Sequence, residues 1–121
     1  MFNNLKYGII IENSKIPQLL SIFISIKAIT IWPFIIIKGF GDKRLIVHER
    51  IHILQQKELF VLPFYILYVF FWILNIFRYW GSENIFQKAY QEIPFEREAY
   101  ANDSNDIYLM TRKKFNWKNY M

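Results

Sequence analysis

Residues Asp42 to Phe60 read DKRLIVHERIHILQQKELF, and this segment decides both the centre of the fold and its chemistry. Asp42 suits the N-cap of a helix that runs to about Phe60. On that helix His48 and His52 are four residues apart and project from the same face, one turn above the other. They are the only two histidines in the chain. The pattern therefore predicts a helix that carries a pair of imidazoles.

Two imidazoles at this spacing can bind one tetrahedral zinc ion. Glu49 directly follows His48, so its carboxylate reaches the rim of the same site. There it can take a proton from water activated by zinc, which is the chemistry of a zinc-dependent peptidase. The alternative is a buried, hydrogen-bonded histidine pair without a metal. We expect Zn²⁺ as the cofactor, His48 and His52 as ligands, and Glu49 as the catalytic base.

A third zinc ligand must come from elsewhere, because a catalytic zinc keeps three protein ligands and one open position. The chain has no cysteine and no further histidine, so this ligand has to be Asp or Glu. The best candidate segment is PFEREAY over residues 94–100, since a proline suits the first turn of a helix. The competing carboxylates are Glu92, Glu96, Glu98, Asp103 and Asp106.

The motif HExxH over residues 48–52, with Gln55 and Gln56 after it, and the later EREA over residues 96–99 resemble the gluzincin metallopeptidases. The resemblance extends from about residue 45 to residue 103. It is strongest to the membrane-associated CAAX prenyl protease and heat-shock membrane protease group and to small bacterial zincin-like proteins. In that pattern the first glutamate of the second motif is the third zinc ligand. The resemblance therefore implies metal ligation by Glu96.

One position departs from this family pattern. The aspartate that follows the alanine in the family is Tyr100 here, so a partner for a ligand histidine is missing at that position. Asp103 lies one turn further and is expected to take its place. Glu98 is rotated by about 200° from Glu96 on the same helix and is expected to point away from the zinc.

A second decisive stretch is Val61 to Trp80, which is almost entirely apolar and ends at Gly81. It predicts one strongly apolar helix, and a helix that is apolar all round is either deeply buried or in contact with lipid. Its tyrosines and tryptophans are of the kind found at membrane interfaces. We expect contact with membrane lipid, the alternative being a buried hairpin or an oligomer helix.

The remaining chain predicts short elements around these two helices. Ile29–Ile37 has strand composition, and Pro33 within it favours an edge or bulged strand. Zincins resemble one another in placing a strand beside the active-site helix, so Phe34–Lys38 is expected to offer its free edge to an extended peptide. An ordinary covered strand is the alternative. The other predicted elements are a strand over Tyr7–Ile11 and helices over Pro17–Ala28, Ser82–Glu92 and from Pro94.

These expectations give an α+β fold, mostly helical, in a single domain over residues 1–121: a minimal zincin-like fold with a short edge strand and one apolar helix that contacts the membrane. Because cysteine is absent, a disulfide scaffold, a Cys-type zinc site and a thiol nucleophile are excluded. The net charge of +5 is moderate, and no helix carries a basic stripe, which disfavours nucleic-acid binding. The basic tail over Arg112–Lys118 is more simply an anchor for an acidic lipid surface.

The function predicted from these features is that of a small membrane-associated zinc metallopeptidase acting on a peptide or protein. The alternative is a zincin-like accessory subunit, weak or inactive in catalysis, in a bacterial membrane protein complex. The small size favours that alternative, because no second lobe is encoded to close a cleft; a second copy or a partner is then expected to supply it. No cleavable signal peptide is recognised, and the expected location is the inner membrane, or otherwise the cytoplasm.

Overall fold

A computed structural model describes residues 7–19 and 27–121 of the chain. They form an α+β fold dominated by helices, as the sequence predicts. The strands are β1 (Ile9–Ile11), β2 (Ala28–Ile31) and β3 (Phe34–Ile37). The helices are α1 (Ile16–Leu19), α2 (Lys43–Glu58), α3 (Leu62–Arg78), α4 (Ile85–Gln91), α5 (Pro94–Asn102) and α6 (Tyr108–Thr111), followed by a 3₁₀ helix over Asn116–Tyr120.

The three strands form one sheet in the order β1-β3-β2, with β3 parallel to β1 and antiparallel to β2. The prediction of a single strand over Ile29–Ile37 is wrong, because the chain turns at Trp32 and Pro33 and returns as β3. The prediction that Phe34–Lys38 is a free edge is also wrong, because β3 is the central strand. Pro33 lies in the turn and removes no hydrogen bond from the ladder, which explains its tolerance beside a central strand.

The predicted helix over Pro17–Ala28 is confirmed only in its first part, as α1. Residues 20–26 lie outside the described residues, and Ala28 belongs to β2 rather than to a helix. The predicted strand over Tyr7–Ile11 is present as β1. Because Ile35 and Ile37 of β3 pack with Ile53 of α2, the sheet lies directly against the predicted metal-binding helix.

Helix α2 begins where the sequence predicts, because the carboxylate of Asp42 accepts a hydrogen bond of 2.8 Å from the backbone N–H of Leu45. It ends at Glu58, and the chain turns sharply through Phe60 and Val61, which both have positive φ angles. Pro63 then lies in the first turn of α3, whose axis makes an angle of 114° with that of α2.

Among the described residues no single helix is long and apolar enough to cross a membrane; α2 and α3 pass such a test only together, as a bent pair. Most of α3 is nevertheless uncovered, and only Phe64, Phe71 and Asn75 are buried. Asn75 donates a hydrogen bond of 3.0 Å to the carbonyl of Ala89, which holds α4 against α3. The exposed apolar residues of α3 recur at helical spacing and form one stripe: Leu62, Ile66, Val69, Phe70, Ile73, Leu74 and Phe77.

The helix from Ser82 is shorter than predicted, since α4 begins at Ile85, whereas α5 begins at Pro94 as expected. Phe95 of α5 is fully buried between Phe64 of α3 and Trp117 of the 3₁₀ helix. This aromatic cluster fixes the start of α5. The next residue, Glu96, is thereby directed towards α2.

Candidate metal centre

Helix α2 is the central element of the site, packed between β2 on one side and α5 on the other. Its two histidines are both buried, and their ring centroids lie 5.0 Å apart. Gln55 shares this face, because it follows His52 by three residues. The spacing seen in the sequence thus brings two imidazoles together inside the protein.

Glu96 completes this group from the first turn of α5, and it is itself buried. One carboxylate oxygen lies 3.0 Å from Nε2 of His48, and the other lies 3.1 Å from Nε2 of His52. The hydroxyl of Tyr68 on α3 donates a hydrogen bond of 2.6 Å to the same carboxylate. The structure therefore brings the three residues expected as metal ligands to one point.

The Nδ1 atoms of both histidines already have hydrogen-bond partners. Nδ1 of His48 lies 3.1 Å from one carboxylate oxygen of Asp103, and Arg44 donates a hydrogen bond of 2.7 Å to the other. The position expected for Asp103 is confirmed. Nδ1 of His52 lies 2.7 Å from the side-chain oxygen of Gln55. Because each Nδ1 faces an acceptor, Nε2 is in both rings the nitrogen that faces Glu96 and is available to a metal, as in metal sites with hydrogen-bonded histidine ligands.

The geometry suits a metal ion. Although Nε2 of His52 lies close to Glu96, the two groups are not aligned for a hydrogen bond, so this buried nitrogen has no hydrogen-bond partner among the described residues. Ligand atoms on a tetrahedral zinc lie roughly 3.3 Å apart. The contacts of Glu96 with the two Nε2 atoms, at 3.0 and 3.1 Å, are near this value. His48, Glu49 and His52 form a buried group, with ligand atoms within 4.8 Å of one another, that can hold a metal ion.

The charges of the site are strongly interdependent. Burial alone would lower the pKa of His52, but the negative charge of Glu96, assisted by Glu49 and Gln55, outweighs it and raises the pKa to about 10. Burial would raise the pKa of Glu96, but the two histidines outweigh it and hold that pKa well below its usual range. The carboxylate thus stays ionised and pairs with the protonated imidazole of His52, whose Nε2 proton a metal ion would displace on binding.

Glu49 is buried beside this group but faces the sheet rather than α5. One oxygen of its carboxylate accepts a hydrogen bond of 2.6 Å from the hydroxyl of Thr30 on β2. Thr30 therefore fixes the carboxylate of Glu49 between the strand and the histidines. This places a carboxylate at the edge of the group formed by the two histidines, where the motif predicts one.

Two cavities meet at Glu49. The inner cavity, of about 200 Å³, lies between β2 and α3 and is lined mainly by apolar and aromatic side chains, among them Phe64 and Tyr65. The outer cleft, of about 800 Å³, is more polar and includes His48 and Asp103. Ala28, Glu49 and Tyr90 line both cavities, so they mark the passage between them. Burial raises the pKa of Tyr90, which keeps its hydroxyl protonated as a donor.

The strand that borders the site is β2, and part of its outer edge is already occupied. The carbonyl of Thr30 accepts hydrogen bonds from Gln56 and Tyr65, and Gln56 also accepts one from the backbone N–H of Trp32. Alternate residues of a strand direct their backbone groups to the same edge. Ala28 therefore has its N–H and C=O on this edge, and neither has a partner among the described residues.

Glu98 points away from the histidine pair, as its position on the helix predicts, but it is fully buried rather than free. Its carboxylate accepts hydrogen bonds from Arg112, Tyr108 and Gln55. It cannot serve as a neutral control for Glu96, because its removal would leave Arg112 in the interior with one carboxylate fewer.

Three functional contacts escape prediction from the sequence. Gln55 had a usable signal, because its spacing from His52 places it on the same helical face. Tyr68 and Thr30 had none, since their contacts with the site depend on how α3 and β2 pack against α2.

Comparison of this chain with protein-family models, with curated proteins and with solved structures gives no match. What the site can do is therefore inferred from its own geometry.

Proposed function

We propose that the protein is a small membrane-associated zinc metallopeptidase whose metal ligands are His48, His52 and Glu96. The observation that carries this proposal is the convergence of both Nε2 atoms on one buried carboxylate, while both Nδ1 atoms face fixed acceptors. A purely structural ion pair between Glu96 and the histidines does not require both Nδ1 atoms to face fixed acceptors. The resemblance to the gluzincins supports the same assignment.

Zinc, when bound, supplies a Lewis acid that polarises a carbonyl and promotes the ionisation of water. Glu49 takes a proton from the attacking water as its oxygen bonds to the peptide carbon. It then passes this proton to the amine nitrogen as the C–N bond breaks. Thr30 holds the carboxylate of Glu49 in place throughout.

The substrate is proposed to be an extended peptide that pairs with Ala28, whose outward N–H and C=O both have no partner among the described residues. Such pairing provides two main-chain hydrogen bonds directly beside Glu49. A neighbouring apolar side chain of the substrate would then occupy the inner cavity between β2 and α3. Strand addition at β2 thus replaces the addition expected at Phe34–Lys38.

The proposed function is tested by measuring the zinc content of the purified protein and its hydrolysis of a peptide library. Wild type is expected to bind one zinc ion, and His48→Ala is expected to bind none. If wild type binds zinc but cleaves no peptide, the accessory-subunit alternative is favoured. If wild type binds no metal, the metal centre is refuted.

The proposed membrane contact is the apolar stripe of α3. Seven large apolar side chains are exposed on one helical face, which is more than an exposed helix usually carries. Exposed Trp80 and Arg78 lie beside them. An apolar face flanked by an aromatic ring and a cation is typical of helices that lie in a membrane interface. We infer that α3 rests on the lipid surface.

Ile66→Asp is expected to weaken binding to vesicles of mixed zwitterionic and anionic phospholipid by about tenfold or more, because one apolar side chain contributes about 1.5–3 kcal/mol when buried. Ile66 is 62% exposed, so the fold should be unaffected. The matched control is Ile107→Asp, at an isoleucine outside α3 that is 54% exposed. Co-sedimentation measures both variants, and equal binding by the two would contradict the assignment of this face.

A further inference from the structure

A continuous series of buried polar contacts joins Arg112 to His52. Arg112 binds both oxygens of Glu98, at 2.5 and 3.0 Å. Glu98 accepts a hydrogen bond of 2.9 Å from the side-chain nitrogen of Gln55. The side-chain oxygen of Gln55 lies 2.7 Å from Nδ1 of His52. The proposed mechanism uses only the last member of this series, so the other three need another explanation.

The orientation of the Gln55 amide follows from its surroundings. Its nitrogen donates to two acceptors, the carboxylate of Glu98 and the backbone carbonyl of Phe95, the latter at 3.1 Å. A rotation by 180° would place the amide oxygen against these two acceptors, which cannot donate to it. The oxygen must therefore face His52, and this fixes the proton on Nδ1 and leaves Nε2 to face Glu96.

The carboxylate of Glu98 is itself held firmly. It is fully buried, and besides Arg112 the hydroxyl of Tyr108 donates to it at 2.6 Å. Arg112 is buried as well and binds Glu58 on its other side, at 2.9 and 3.0 Å. Since Glu58 lies on α2 and Glu98 on α5, Arg112 also joins the two helices that supply the proposed metal ligands.

We propose that Glu98, held by Arg112, is a positioning residue for the metal centre: through Gln55 it determines which nitrogen of His52 faces the metal. This inference rests on the proposed zinc site for its consequence, but the fixed orientation of the ring does not require a metal. Glu98 acts only through Gln55 and touches neither the metal-binding atoms nor a substrate.

The test compares Glu98→Gln with Glu58→Gln. Each variant keeps the size of the side chain and removes one carboxylate charge from Arg112, so both should lower the melting temperature. Only Glu98→Gln changes the group that accepts the hydrogen bond from the side-chain nitrogen of Gln55. It is expected to lower the affinity for Zn²⁺ by about 10–100-fold, the usual effect of losing a hydrogen-bond partner that orients a ligand histidine. Glu58→Gln should leave that affinity nearly unchanged. Chelator competition measures both affinities.

A second measurement separates positioning from stability. In ¹H–¹⁵N spectra recorded without added metal, the Nδ1–H of His52 should exchange slowly in wild type and in Glu58→Gln. It should exchange faster in Glu98→Gln. An equal loss of zinc affinity in both variants, or an unchanged His52 resonance in Glu98→Gln, would overturn the inference.

Should Glu98→Gln not fold, Gln55→Met breaks the same connection while the contact between Arg112 and Glu98 stays intact, and the same loss is expected. An unchanged His52 resonance in Gln55→Met would refute the proposal equally. If wild type binds no Zn²⁺ but keeps a slowly exchanging Nδ1–H, the proposed function fails and the positioning of the ring stands.

Discussion

Glu96→Ala is expected to lower the affinity for Zn²⁺ by more than about 100-fold. This exceeds the effect of losing only a hydrogen-bond partner of a metal ligand. The reason is that one carboxylate contacts Nε2 of both His48 and His52, at 3.0 and 3.1 Å. Without it only two protein ligands remain, which is one fewer than a catalytic zinc site keeps. Chelator competition on the purified variant measures the change.

The control for this variant is Glu92→Ala. Glu92 precedes α5 by two residues, its side chain is 33% exposed, and its contact with Arg97 is long, at 3.9 Å. Its removal should leave both zinc affinity and folding nearly unchanged. If Glu96→Ala still binds zinc as tightly as Glu92→Ala does, then Glu96 is not a ligand. The contacts to the histidines would in that case be an internal ion pair only.

The sequence predicts α2 and its histidines well because the information is local. Asp42 caps the helix it precedes, and the spacing of His48 and His52 alone determines that they share a face. The start of α5 follows from Pro94 for a similar reason, since the ring of a proline is suited to the first helical turn. Local chemistry therefore gives the elements that carry the site.

The sheet is where prediction from the sequence fails. The run from Ile29 to Ile37 is apolar and rich in β-branched residues, and Pro33 within it predicts an edge strand. In fact Pro33 lies in a turn between two short strands. Which strand is central depends on the pairing of β3 with distant β1, and a run of isoleucines carries no information about such pairing.

The surroundings of the metal centre are likewise decided by packing. Tyr68 reaches Glu96 only because α3 turns back across α2 and α5, and no spacing in the sequence links residues 28 positions apart. The sequence predicts that Arg112 belongs to a basic tail suited to lipid, yet it is buried between Glu58 and Glu98. Only the packing of the folded chain determines its position there.

The role of Glu49 separates a peptidase from a metal-binding protein without hydrolytic activity. Its carboxylate lies within reach of the same metal as His48 and His52, so it is available either as a ligand or as a base. The hydrogen bond from Thr30 directs one of its oxygens towards β2, which favours the role of a base beside the metal. The two roles predict different behaviour of one variant.

Glu49→Gln is expected to bind zinc as wild type does and to lose peptide hydrolysis by about 100-fold to 10,000-fold, the usual contribution of a general base. Glutamine keeps the size of the side chain and can still accept the hydrogen bond from Thr30, so folding should be preserved. Zinc content and initial rates on a cleaved peptide are measured together, with Glu92→Gln as the control. If Glu49→Gln loses the metal, Glu49 is a ligand and not the base, and Glu96 then has to be reassigned as the residue that ties the two histidines together.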